Sequence, residues 1–165
     1  MRRYGRMVCH LFNWLTGDFS GIFSCIFFML RFRFFLMQVL GYVRSLCEAL
    51  ETDFRLYSTR SHRESVRREI NMDYHNRCLQ EIADGTYDFG YEYEIEEGRK
   101  YYKVIMNANG SRSVHCFVDK QTGDVYKSAS WKSPAKGIRY NLLDVVSREQ
   151  CYRRANWSGG YLYAQ

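Results

Sequence analysis

The sequence predicts an α+β fold: a four- to five-stranded antiparallel meander sheet with helices packed on one face. Three observations carry this. "YDFGYEYEIE", residues 87–96, puts Tyr87, Phe89, Tyr91, Tyr93 and Ile95 on one side and Asp88, Gly90, Glu92, Glu94 and Glu96 on the other, the period of two of a half-buried strand. Three more apolar segments follow, "KYYKVIM", "RSVHCFVD" and "DVYKSAS", parted only by Glu97-Gly98, Asn109-Gly110 and "KQTG". Connections of that length join antiparallel neighbours. Helical patterns stand before and after these strands.

From Ser45 to Asn71, Leu46, Leu50, Phe54 and Tyr57 recur at helical spacing in a charged segment. "NMDYHNRCLQEIADG" predicts a short helix with Asn71 or Asp73 as cap and Gly85 as stop, and with Tyr74, Cys78 and Ile82 on one face. In the first strand Tyr91 and Tyr93 are expected inside and Glu92 and Glu94 outside. Near the end, Val146 to Ala155 predicts a further helix with Ser147 as its cap, and "GGYLYAQ" an added edge strand.

The 46% apolar and 17% aromatic content of these 165 residues excludes a disordered chain. The formal net charge of +6 points toward nucleic acid or an anionic membrane surface. The charge is uneven. Residues 1–71 hold eleven Arg, no Lys and six acids, a balance of +5, whereas 72–165 hold thirteen Lys and Arg against twelve acids, a balance of +1. Nine of the eleven Phe also precede Met72.

This asymmetry predicts two parts, a hydrophobic and Arg-rich leader over 1–71 and an α+β domain over 72–165. "FSGIFSCIFFML" is shorter than the ~20 residues a bilayer needs, and Arg31 and Arg33 separate it from "FFLMQVLGYV". The basic start at Arg2, Arg3 and Arg6 has the charge of a signal peptide without a small-residue cleavage site. If the leader is part of the protein, residues 7–43 are where it would touch a membrane. "RREINM", residues 67–72, also back-translates to a purine-rich run ahead of a start codon. On that reading Met72 is the natural start, and 1–71 is upstream sequence read in frame.

"SASWKSPAKGIRYN", residues 128–141, holds the only proline, Pro134. Around it lie the candidate nucleic-acid-binding residues Lys127, Trp131, Lys132, Lys136, Arg139 and Tyr140. Cations for phosphates interleaved with aromatics for bases are what a single strand requires. The competing reading has Trp131 and Tyr140 plugging the edge of the core while the cations stay in water.

No metal site and no cofactor are expected. His75 and Cys78 share a helix face and Cys116 and Cys151 are further thiols, but no CxxC occurs. His115 and Cys116 should point to opposite sides of a strand. The six cysteines lack paired spacing and are expected as reduced thiols. None of His10, His62, His75 and His115 lies in a nucleophile or metalloprotease motif, and there is no phosphate-binding or dinucleotide fingerprint. Asp119 and Asp124 flank the "KQTG" turn as turn formers. An enzyme is not expected.

"SVHCFVDKQTGDVYKSASWKSPAKGIRYNLLD" with the late "GGYLYA" resembles small uncharacterised proteins of tailed bacteriophages, which share a "FVDxxTGxVYKxASWxxPAKGxRxN" block. The match covers roughly residues 99–165. The resemblance implies a phage origin, a small stand-alone product and the host cytoplasm, and no particular activity. "VDKQTGDVYK" is also similar to the hairpin of PepSY-type modules. Two functional classes stay open: an accessory protein that binds single-stranded nucleic acid through the 127–140 loop, and a module that docks on or inhibits a host or phage protein through its aromatic sheet edge and C-terminal tail.

Overall fold

The computed structural model describes residues 20–163, with side chains from Met37 onward. The leader's basic start and His10 lie outside those residues, and the apolar run after Phe19 is described as helical backbone alone. The fold is α+β. In chain order it comprises α1 (Ser20–Arg67), α2 (Met72–Asp84), β1 (Tyr91–Glu97), β2 (Tyr101–Ala108), β3 (Ser111–Asp119), β4 (Asp124–Lys127), β5 (Tyr140–Asn141), α3 (Val145–Arg154) and a 3-10 turn (Gly160–Leu162). The chain divides at Phe34/Phe35 into two compact units, and the second, Phe35–Gln165, holds the sheet. Among the described residues no helix is long and apolar enough to cross a membrane.

The five strands pair in sequence order, every neighbour antiparallel. The turns explain this order. Asn109 and Gly110 both take positive φ, 50° and 82°, which matches the right-handed twist of the flanking strands. At the next turn Asp119 Oδ1 accepts the N–H groups of Gln121 and Thr122 at 2.9 and 3.2 Å, a side-chain turn of the expected kind. Gly123 (φ +71°) has no alternative there, since a Cβ would stand 2.8 Å from Leu143 Cγ.

One face of the sheet carries the core. Tyr102 and Val104 of β2, Cys116 and Val118 of β3, Val125 of β4 and Tyr140 of β5 meet Val39, Val43, Leu46, Cys47 and Leu50 of α1, with Cys151 and Ala155 beside them. The α1 residues fall every three or four positions, a stripe that faces one way on a helix. Tyr152 of α3 donates its hydroxyl to the Tyr42 carbonyl at 2.9 Å, so the helices share that face. The expected division at Met72 passes through this core, with five of its fully or nearly fully buried side chains on the N-terminal side. α1 covers this face together with α3 and the 3-10 turn, which bring Cys151, Ala155, Tyr161 and Leu162 into the same cluster.

Three local expectations change, while the inner and outer faces of β1 fall as the alternation predicts. β1 begins at Tyr91 rather than Tyr87, because Gly90 (φ +62°) turns the chain and its carbonyl accepts Asn109 N–H at 2.7 Å. Tyr91 and Tyr93 are half-buried, while Glu92 and Glu94 are exposed. α3 is capped by Asp144, whose carboxylate accepts Ser147 N–H at 2.8 Å; Ser147 Oγ instead accepts Asn141 N–H. The "GGYLY" tail forms no strand. The left-handed Gly159 turns it, Asn156 Oδ1 holds Gly160 N–H at 2.8 Å, and Tyr161 and Leu162 plunge into the core. Tyr140–Asn141 supplies the edge strand.

The β2–β3 register slips between Val104 and Ile105, where Val104 faces Cys116 and Ile105 faces Val114. The extra residue is His115. A bulge interrupts strict alternation, so His115 and Cys116 do not point to opposite sides. His115 reaches Tyr161, and Cys116 lies in the same cluster.

Candidate nucleic-acid interface

The six residues expected to form one grip divide between the two sides of the sheet. Lys127 is two residues on from the core residue Val125 and stays on the helix side, its Nζ 3.6 Å from the Tyr163 ring centroid. Trp131 lies on the other side. Lys103 Nζ and Arg112 Cζ stand 5.4 and 5.9 Å from its ring centroid, and it keeps 42% of its surface exposed. Lys132 and Lys136 are exposed. The chain crosses between these sites by a tight loop in which Ser128 bridges to Pro134 and Ala129 N–H donates to the Ser133 carbonyl at 3.1 Å.

Tyr140 belongs to the core. It is 9% exposed and donates its hydroxyl to the Tyr161 carbonyl at 3.3 Å, so its ring has no face open to a base. Trp131 therefore escapes the core-plugging role and Tyr140 takes it. The acidic strand is also less acidic than its sequence. Glu94 pairs with Arg112 at 2.8 Å, Glu96 with Lys103 at 2.6 Å, and Glu97 with Lys120.

On the helix side, two adjacent pockets flank the C-terminal turn. The first, of about 290 Å³, is lined by Tyr91, His115, Lys127, Trp157 and Tyr163 among others. The second, of about 350 Å³, is lined by Arg139, Ser147, Gln150, Arg154 and Tyr163 with Tyr140 and Tyr161 at its back. Tyr163, 61% exposed, belongs to both. Neither lining contains a carboxylate. Phe54 of α1, stacked on Tyr91 at 3.8 Å and edge-on to Trp157 at 5.6 Å, holds the aromatic wall of the first pocket, and Asp53 fixes Trp157 by accepting its backbone N–H at 3.0 Å.

Arg139 is held rather than loose. Its Nε donates to the Leu162 carbonyl at 2.8 Å, and Gly137 leaves room that a Cβ, 2.9 Å from Nη1, would take. His115 sits between the first pocket and the core. Burial lowers its pKa to about 4, and its Nε2 is 3.2 Å from the Tyr161 hydroxyl. Burial also raises Tyr161 well above the ordinary phenol range, so both partners are neutral.

Trp157, Tyr163 and Arg154 join the site without having been expected there from the sequence. The aromatic "GGYLY" tail and the Arg153-Arg154 pair are visible signals, but only the left-handed Gly159 turn brings the tail back beside Lys127.

Among the described residues no three His, Cys, Asp or Glu side chains are grouped to hold a metal ion. Cys47, Cys78, Cys116 and Cys151 are free and buried. Burial, aided by Glu51 and Glu48, pushes the Cys47 thiol up to about 12, and burial does the same for Cys151. The Cys47 and Cys151 thiols stay protonated and are poor thiolate ligands.

No curated protein and no solved structure matches the chain. A family model matches residues 34–164, a span that begins one residue before the compact unit and contains both pockets. The chain belongs to that family, the family of unknown function DUF7717.

Proposed function

We propose that the protein is a small bacteriophage accessory protein of the host cytoplasm that binds single-stranded nucleic acid at the pocket beside Lys127. One observation carries this reading: Lys127 is stacked on the exposed Tyr163 ring at the mouth of a pocket walled by Tyr91 and Trp157 and free of carboxylates. A cation beside stacked aromatic faces meets the two chemistries of a strand, phosphate and base. The bacteriophage assignment rests on the resemblance of the "FVDKQTGDVYKSASWKSPAKGIRYN" block.

Fluorescence anisotropy with labelled oligothymidine or oligouridine across a salt series tests this. Lys127→Ala should reduce the salt slope by ~0.7, because it removes one phosphate neutralisation. Tyr163→Ala should weaken binding by ~1–3 kcal/mol if the ring stacks on a base. Trp131→Ala, on the opposite side of the sheet, serves as the control for a grip centred on the 128–141 loop. Binding that ignores Lys127 and Tyr163 but falls with Trp131 would move the site to the other face.

A second reading, docking on a host or phage protein, is favoured by Ile138, Val145 and Val146, which are 57%, 59% and 64% exposed near the second pocket. Such an interface would be centred on apolar side chains, and its affinity would hold as salt rises.

A further inference from the structure

We propose that the second pocket, between Arg139 and Arg154, binds the terminal phosphate of the strand. This inference rests on the strand-binding reading and gives it an end-specific form. The pocket gathers donors from two stretches of chain: Arg139 from the segment before β5, and Ser147, Gln150 and Arg154 from α3. Arg139 is pre-positioned by two carbonyls, Leu162 taking its Nε at 2.8 Å and Lys136 taking one hydrogen of Nη2 at 3.5 Å, which leaves Nη1 and the second Nη2 hydrogen for a ligand. Ser147 Oγ already accepts Asn141 N–H, so its hydroxyl hydrogen is the part left to offer. The two acids nearest in sequence are occupied or absent from the lining: Asp144 caps α3, and Glu149 does not line the pocket.

The count and charge of these donors decide between kinds of phosphate. A backbone phosphodiester has one negative charge and two free oxygens. A terminal phosphate monoester has three free oxygens and approaches two negative charges at neutral pH. Two guanidinium groups with a hydroxyl and an amide match the second better, because planar guanidinium forks hold phosphate oxygens in pairs. The concavity points the same way, since a pocket receives an end more readily than the middle of a chain. Tyr163, shared with the first pocket, provides the route by which the nucleotide after that phosphate reaches the aromatic wall.

Isothermal titration calorimetry of the full chain with three otherwise identical oligothymidine strands tests this: one with a 5′-phosphate, one with a 3′-phosphate and one with hydroxyls at both ends. One phosphorylated end should bind about tenfold tighter than the hydroxyl strand, the scale of a charge-assisted contact. Arg154→Gln and, separately, Gln150→Ala should bring that ratio towards unity while the thermal midpoint stays within the wild-type range, both side chains being at the surface. Equal affinity for all three strands overturns this inference and leaves the strand-binding reading standing. No binding of any strand overturns both. A preference that survives Arg154→Gln and Gln150→Ala places the phosphate elsewhere and overturns the assignment.

Discussion

Nδ1 of His62 lies 2.8 Å from Nδ1 of His75, an imidazole pair that joins the end of α1 to the start of α2. His62 Nε2 is in turn 3.1 Å from the Tyr87 hydroxyl, in the segment that leaves α2. The pair can share one proton along the Nδ1–Nδ1 line and has no room for two. The contact matters because α2 is lightly held: Cys78 is its only buried residue.

Burial, and then the charge of His75, lower the His62 pKa below 6.5. A lowered folded-state pKa means that the unfolded chain takes up the proton first, so the burial of His62 costs no stability above pH 6.5 and costs progressively more as the pH falls below it. Histidine ring protons followed by NMR should show His62 titrating below 6.5. His75→Asn removes the neighbouring charge and should move the midpoint upward. A wild-type midpoint above 6.5 would refute the pairing.

His115 should dominate the acid sensitivity of the core. Its folded pKa of about 4 against an ordinary value of 6.5 means that the contribution of His115 to stability is constant above neutral pH and declines as the pH falls from about 6.5 towards 4. The total loss is roughly 3 kcal/mol at 1.36 kcal/mol per unit. Chemical denaturation at a series of pH values should show this slope, and His115→Gln should flatten it. An unchanged slope in the variant would assign the acid sensitivity to other groups.

The fold should need α1 from about Phe35. A chain starting at Met72 lacks Val39, Val43, Leu46, Cys47 and Leu50, and so exposes the apolar face of the sheet. Removing a buried Leu side chain alone costs ~2–5 kcal/mol, so several together exceed the roughly 5–15 kcal/mol of net stability that a domain holds. Residues 35–165 should unfold cooperatively with native near-ultraviolet circular dichroism, and 72–165 should lack it. A cooperative 72–165 would show that α1 is dispensable.

Tyr93 and Glu92 should differ sharply. The Tyr93 ring packs edge-on to His115 at 5.4 Å, its hydroxyl donates to the Trp157 carbonyl, and its backbone N–H reaches Glu51. Tyr93→Ala should cost ~3 kcal/mol, and Glu92→Ala, at an exposed position, no more than ~0.5. Similar urea midpoints for the two variants would contradict the assigned face of β1.

What the sequence determined by itself was whatever depends on near neighbours. Alternation in "YEYEI" set the inner and outer faces of β1. Asn109-Gly110 and Asp119 with Gly123 set two hairpins, and with them the antiparallel order. Gly85 ended α2, its N–H closing on the Glu81 and Ile82 carbonyls. Each of these signals acts within a few residues, where sterics and local hydrogen bonds decide the backbone. What only the tertiary structure decided concerns partners distant in sequence. Val39 to Leu50 reads as part of a leader because apolar periodicity does not say which surface it will cover. The bulge at His115 overrode the period of two because Tyr161 and Tyr93 give the extra side chain a buried place on the helix side. Lys127 and Trp131 are four residues apart and read as one grip. The sheet stands between them, and a strand presents successive side chains to opposite faces while the loop beyond it folds to one. Tyr163 meets Lys127 only because Gly159 permits a left-handed turn and burial of Tyr161 and Leu162 draws the tail inward. Local order follows from stereochemistry between neighbours, whereas the site follows from burial, which is settled by the whole chain at once.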